Sequence, residues 1–102
     1  MIKLETDFTA ELLKKLEQAE AVTGIPEPRL QEAARKRGGA AAVKELLRRG
    51  QTTRQVSELK ERGRLDLSAE YLVTRGKYGA LFSDEEVDAC LAALLEAGAF
   101  SF

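Results

Sequence analysis

The sequence predicts an all-α fold: a single compact domain of five or six short helices spanning residues 1–102. Three observations point there. Apolar residues recur at helical spacing in the opening and closing segments. Glycines at 24, 38, 50, 63, 76 and 98 each follow a stretch of good helix formers, where a left-handed residue ends a helix cheaply. No segment alternates β-branched and aromatic residues as a strand requires.

The first helix is expected over about 7–22, with Phe8, Leu12, Leu16 and Ala19 on one stripe and Leu13 beside it. Gly24-Ile25-Pro26-Glu27-Pro28 is a stiff link, and Pro28 suits the first position of a second helix over 28–37. That helix has a short apolar face of Leu30, Ala33 and Ala34. A third, over 39–49, presents Val43, Leu46 and Leu47. Thr52-Thr53-Arg54-Gln55 reads as a capping box for a fourth helix over 53–62, with Val56 and Leu59 inward. Ser68 caps a fifth helix through Thr74 that buries Leu72 and Val73 or Tyr71. Ser83-Asp84-Glu85-Glu86 is a capping box with acids in the first turn, opening a last helix over 84–97. Its stripe is Val87, Cys90, Leu91, Leu94 and Leu95. The first and last helices are expected to supply most of the core, with Phe82 inside and Tyr78 a partly exposed cover.

Composition excludes several chemistries. The chain has no histidine, which removes the usual general base, the Ser-His-Asp triad and His-ligated metal sites. Its single cysteine, Cys90, cannot form an internal disulfide, and it falls on the apolar stripe of the last helix. A lone thiol fits a reducing cytoplasm. No apolar run reaches the roughly 20 residues of a membrane span, so no membrane partner is expected. No catalytic residue, cofactor or metal is implied. The cluster Asp84-Glu85-Glu86-Asp88 is explained by helix-start electrostatics.

The formal net charge of −1 conceals three blocks: residues 1–28 carry −3, residues 29–77 carry +7 and residues 78–102 carry −5. The strongest basic clusters are Arg35-Lys36-Arg37 and Arg48-Arg49 with Arg54. Cations before helix-ending glycines suit the negative end of the helix dipole, which accounts for about half of them. The excess fits phosphate contact, for which arginine has bidentate geometry.

The stretch Gly38-Gly39-Ala40-Ala41-Ala42-Val43-Lys44-Glu45-Leu46-Leu47 is followed by Gly63-Arg64-Leu65-Asp66-Leu67-Ser68-Ala69-Glu70-Tyr71-Leu72-Val73, then by Leu81-Phe82 and Asp84-Glu85-Glu86. This texture resembles a group of small, uncharacterised bacterial helical domains, over about residues 7–97. The resemblance implies a helical domain of bacterial or phage origin and no particular activity. The segment between Leu47 and Gly63 is more basic than that pattern. Residues Val43 to Glu61 also resemble a helix-turn-helix, with Gly50 as the turn glycine. That likeness puts Arg54, Gln55, Ser57, Glu58 and Lys60 outward on a recognition helix. Gln51 after the turn and Leu46 in the first helix depart from the motif.

The function expected from these residues is a small non-enzymatic protein that binds nucleic acid through an Arg-rich central surface, in a regulatory or defence role. The surface comprises Arg35, Lys36, Arg37, Arg48, Arg49, Arg54, Gln55, Ser57 and Lys60. The alternative is a protein-interaction module, an inhibitor, adaptor or accessory subunit. It would dock through the acidic ends or through Phe100 and Phe102, which need burial on their own domain or on a protein partner.

Overall fold

A hydrophobic stripe as regular as that of the opening segment needs a partner for its whole length, and the rest of the chain wraps around it. In the computed structural model, which describes residues 2–96, α1 runs over Ile2–Thr23. It starts five residues earlier than expected, and Leu4 packs on the core from that added turn. Phe8, Leu12, Leu16 and Ala19 are all fully buried. Then follow α2 (Pro28–Arg37), α3 (Gly39–Arg48), α4 (Val56–Glu61), a 3-10 turn (Leu65–Leu67), α5 (Ala69–Thr74), a second 3-10 segment (Gly76–Leu81) and α6 (Asp84–Glu96). The described residues contain no strand, and none of their helices is long and apolar enough to cross a membrane. The Cα radius of gyration, 12.4 Å, is that of one compact domain. Helices α2, α3, α4 and α5 and both 3-10 segments all touch α1.

The main cluster centres on Phe8. Its ring meets Tyr78 edge-on at 5.1 Å and Phe82 at 5.2 Å. Tyr78, expected as a partly exposed cover, is instead 1% exposed. The 3-10 segment lays its ring on α1, where the hydroxyl donates to Glu11 Oε1 at 2.6 Å. Burial and that carboxylate push the phenol up to about 12. A smaller cluster of Ala19, Leu59 and Leu67 closes the far end of α1.

The last helix supplies less core than expected. Cys90 and Leu94 are fully buried, but Val87 and Leu91 are only partly so and Leu95 is 58% exposed. The reason is its position at the edge of the array, against α5 and, less closely, α3. The segment from Ala69 to Phe82 supplies the difference, with Leu72, Val73, Tyr78 and Phe82. Cys90 is core, and burial pushes its thiol up to about 12, far from a reactive thiolate.

Both serine caps form as expected. Ser68 Oγ accepts from Tyr71 N–H at 3.1 Å. Ser83 Oγ accepts from Glu86 N–H at 3.1 Å, and Glu86 Oε1 accepts from Ser83 N–H at 2.7 Å. The box at Thr52-Thr53-Arg54-Gln55 does not form. Helix α4 begins at Val56, and its N-cap, Gln55, makes no side-chain cap. Four of the helix-ending glycines, at 24, 38, 50 and 63, hold positive φ, whereas Gly76 opens a 3-10 segment.

Gly39 sets how closely α3 approaches α1. A Cβ there would lie 3.0 Å from the Thr9 Cα and 3.1 Å from side-chain carbons of both Leu12 and Phe8. The Gly39 N–H donates to Thr9 Oγ1 at 2.7 Å across the same contact. Gly39→Ala is therefore expected to destabilise the fold by about 1–3 kcal/mol, because backbone on a packed helix cannot yield as a side-chain tip can. Thermal denaturation followed by circular dichroism checks this, and an unchanged midpoint would contradict the close approach.

Candidate nucleic-acid interface

Helices α2 and α3 pack on each other around the glycine pair 38–39. Their facing residues are small or apolar: Leu30 and Ala33 on α2, Ala42 and Leu46 on α3. Two alanines leave the floor between the helices low, and the link after α3 closes one end with Gln51 and Thr52. The result is a groove of about 670 Å³. Four arginines stand around it: Arg29 and Arg37 from the two ends of α2, Arg49 just past α3, and Arg54 from the link. All four are exposed. Arg29, Arg37 and Arg54 form no ion pair among the described residues, while Arg49 Nε lies 3.5 Å from Glu45 Oε2. Glu27 and Glu45 are the acids at the groove. The N-terminus of α2 also opens there, with Pro28 in its first turn and no side-chain cap. Its free N–H groups add a partial positive charge to the same hollow.

The position of Arg54 depends on two buried carboxylates. Gly50, at φ 68°, ends α3 and releases an irregular link over residues 49–55. Glu70 of α5, only 2% exposed, accepts Thr53 N–H at 2.6 Å and the Thr53 hydroxyl at 3.0 Å. Glu27 accepts Gln55 N–H at 3.0 Å. Thr53 and Gln55 are thus drawn inward and Arg54 between them is left exposed. Helix α4 lacks a side-chain cap of its own; the N–H of its N-cap residue, Gln55, is satisfied by Glu27, and Val56 N–H donates to Thr53 O at 3.5 Å. Burial pushes the Glu27 carboxyl above the usual carboxylate range, although the Gln55 and Arg54 N–H groups pull against it. Burial raises Glu70 in the same way against the Thr53 bonds.

Gln55, expected outward on a recognition helix, is fully buried. Its side-chain amide donates to Ile25 O at 2.7 Å and Leu16 O at 3.3 Å, which ties the link to α1 and to the turn after it. The helix-turn-helix pairing does not form. A link of seven residues replaces a turn of about three or four. With Thr53 and Gln55 pinned inside, that link carries α4 to α1 and the Leu65–Leu67 turn.

The remaining basic residues separate into different surfaces. Arg37, Arg49 and Arg54 meet at the groove, whereas Arg35 and Lys36 do not line it. Lys36 Nζ pairs with Glu32 Oε1 at 3.3 Å. Arg48 pairs with Glu45 at 3.1 Å and borders a separate hollow of about 470 Å³ with Lys44, Glu85 and Glu86. Ser57 and Lys60 are exposed on α4, away from the groove lining. Phe100 and Phe102 lie outside the described residues. Three contributors were missed from sequence. Arg29 had a signal, since a cation in the first turn of a helix opposes the dipole and is not explained by it. Glu27 and Glu70 had none, because one reads as a linker residue and the other as an ordinary first-turn acid.

Among the described residues no group of three metal-binding side chains is gathered. The chain matches no protein-family model, no curated protein and no solved structure.

Proposed function

We propose that this protein is non-enzymatic and binds nucleic acid through the groove between α2 and α3. The observation that carries this reading is the convergence of Arg29, Arg37, Arg49 and Arg54 on one concave surface, three of them without an ion pair among the described residues. Exposed arginines held near one another repel, and such an arrangement is relieved by an anionic ligand. Guanidinium groups donate to phosphate oxygens in bidentate geometry. The uncapped start of α2 supplies backbone donors of the same polarity. The role of these groups is to hold the sugar–phosphate chain in register; sequence preference would come from Gln51 and Thr52 at the closed end.

A salt titration tests the proposal. Fluorescence anisotropy of labelled oligonucleotides is expected to show an affinity that falls about 50-fold for a single strand, or about 150-fold for a duplex, between 50 and 200 mM salt, if about four phosphates are neutralised. Arg37→Ala with Arg54→Ala should reduce the slope of log K against log salt by about 1.4 to 1.8, while Arg35→Ala leaves it unchanged. Absence of binding to any oligonucleotide at low salt would overturn the reading. Capture of a protein through residues 97–102 in its place would favour the interaction-module alternative.

A further inference from the structure

Building on that reading, we propose that the groove takes single-stranded nucleic acid, seating one nucleotide with its phosphate on the arginine rim and its base on the apolar floor. The shape argues for a strand over a duplex. A space of about 670 Å³ is of the size that encloses a small molecule, not a double helix. In a duplex the base faces are stacked away, so it could touch the rim but would leave the floor of Leu30, Ala33, Ala42 and Leu46 empty. A splayed single strand offers a base face to that floor and a phosphate to the rim at once. The helix that the helix-turn-helix likeness would place in a duplex groove is also short: α4 has six residues, and Gln55 at its start is buried. No aromatic is among the described residues that line the groove, so the base packs on aliphatic carbon and on guanidinium planes.

Charge is uneven around the groove. Glu45 lies against Arg49, which weakens that side for phosphate. Arg29, Arg37 and Arg54 keep their charge free of ion pairs among the described residues, and the start of α2 lies among the lining. Phosphates belong with them, one at the start of α2 beside Arg29 and Arg54 and a neighbouring one at Arg37. Glu45, Gln51 and Thr52 then face the base edge, offering both acceptors and donors.

The test is a competition measured by anisotropy at low salt, using a labelled twelve-residue thymidine strand, a hairpin duplex of matched charge and free thymidine monophosphate. The strand is expected to bind at least about tenfold tighter than the duplex, the size of one base contact. Ala33→Leu, which fills the floor without changing charge, should weaken strand binding about tenfold and leave the duplex unaffected. Should Ala33→Leu lower the thermal midpoint, Leu46→Ser, at a floor position outside both core clusters, serves instead, with the same expected preference for weakening the strand over the duplex. Equal or tighter duplex binding with the same dependence on Arg37 and Arg54 would overturn the single-strand assignment and leave the nucleic-acid reading standing. Competition by the mononucleotide as effective as by the strand, per nucleotide, would overturn the strand as the source of the ligand. No binding of either polymer would overturn both proposals.

Discussion

Phe8→Ala is expected to destabilise the protein by about 3–5 kcal/mol, the largest effect of any single side-chain truncation in this chain. Phe8 is fully buried and holds two aromatic partners edge-on, Tyr78 at 5.1 Å and Phe82 at 5.2 Å. Its ring also faces Gly39, so the close approach of α3 to α1 is built against it. Truncation leaves a cavity where α1, α3 and the segment before α6 meet, and fixed backbone on the α3 side limits collapse. Domains of this size are stable by only about 5–15 kcal/mol in total. A fall in the thermal midpoint of roughly 15 °C or more follows. Tyr78→Phe separates ring from hydroxyl: it keeps both aromatic pairs and loses only the bond to Glu11, worth about 1.5–3 kcal/mol. Circular dichroism melts and urea titrations check both variants. A Phe8→Ala midpoint within a few degrees of the parent would contradict this picture of the core.

Glu70 should produce the second large effect, and one that depends on pH. Glu70→Ala removes the acceptor for two Thr53 donors in a buried position and is expected to cost about 3 kcal/mol. Glu70→Gln should cost much less. Its amide oxygen accepts the Thr53 N–H, and its amide nitrogen donates to the Thr53 hydroxyl with the direction of that bond reversed. Burial raises the Glu70 carboxyl above its ordinary value of 4.5, and Glu27 is raised too, with the Glu70 charge contributing. Between the ordinary and the raised values the native chain binds more protons than the unfolded one, so stability falls as pH rises through that window. Asp66 acts oppositely, held low by its bond to Arg64, and so does Glu86. Burial raises Glu86, but the Ser83 N–H and the Lys44 ammonium together bring it below the ordinary value. Their contribution is present above the ordinary value and is lost as pH falls through the lowered one. Urea midpoints measured from about pH 4 to pH 8 should therefore decline toward the upper end, and Glu70→Gln should flatten the decline. An equally steep decline in that variant would exclude Glu70 as its source.

The same carboxylate links stability to the proposed interface. Thr53 and Gln55 are held by Glu70 and Glu27, and Arg54 reaches the groove rim because its neighbours are held. Glu70→Ala should accordingly weaken oligonucleotide binding even under conditions where the variant remains folded, whereas Glu70→Gln should not.

Much of the architecture was legible in the residues themselves, because it rests on local rules. The stripe from Phe8 to Ala19 requires a helix with one buried face, the Ser68 and Ser83 caps act within three residues, and glycines 24, 38, 50 and 63 end helices where positive φ is needed. The surplus of positive charge in residues 29–77 was equally plain. The link over 49–55 was not. Its conformation is decided by bonds across 17 residues from Thr53 to Glu70, 28 from Gln55 to Glu27, and 30 and 39 from the Gln55 amide to Ile25 and Leu16. Within the local sequence those polar residues read as a capping box and an outward helix face, since nothing nearby shows that partners wait inside.

The sequence by itself determined that this protein is helical, where most of its helices end, and that its basic charge is concentrated in the middle of the chain. Which arginines share a surface was decided only by the tertiary structure. Arg48 and Arg49 are adjacent in sequence yet line different hollows, while Arg29 and Arg54 lie 25 positions apart and share one groove. The physical reason is that helix periodicity and capping act over a few residues. The grouping of charges depends instead on how α2 and α3 pack and on where two buried carboxylates hold the link between α3 and α4.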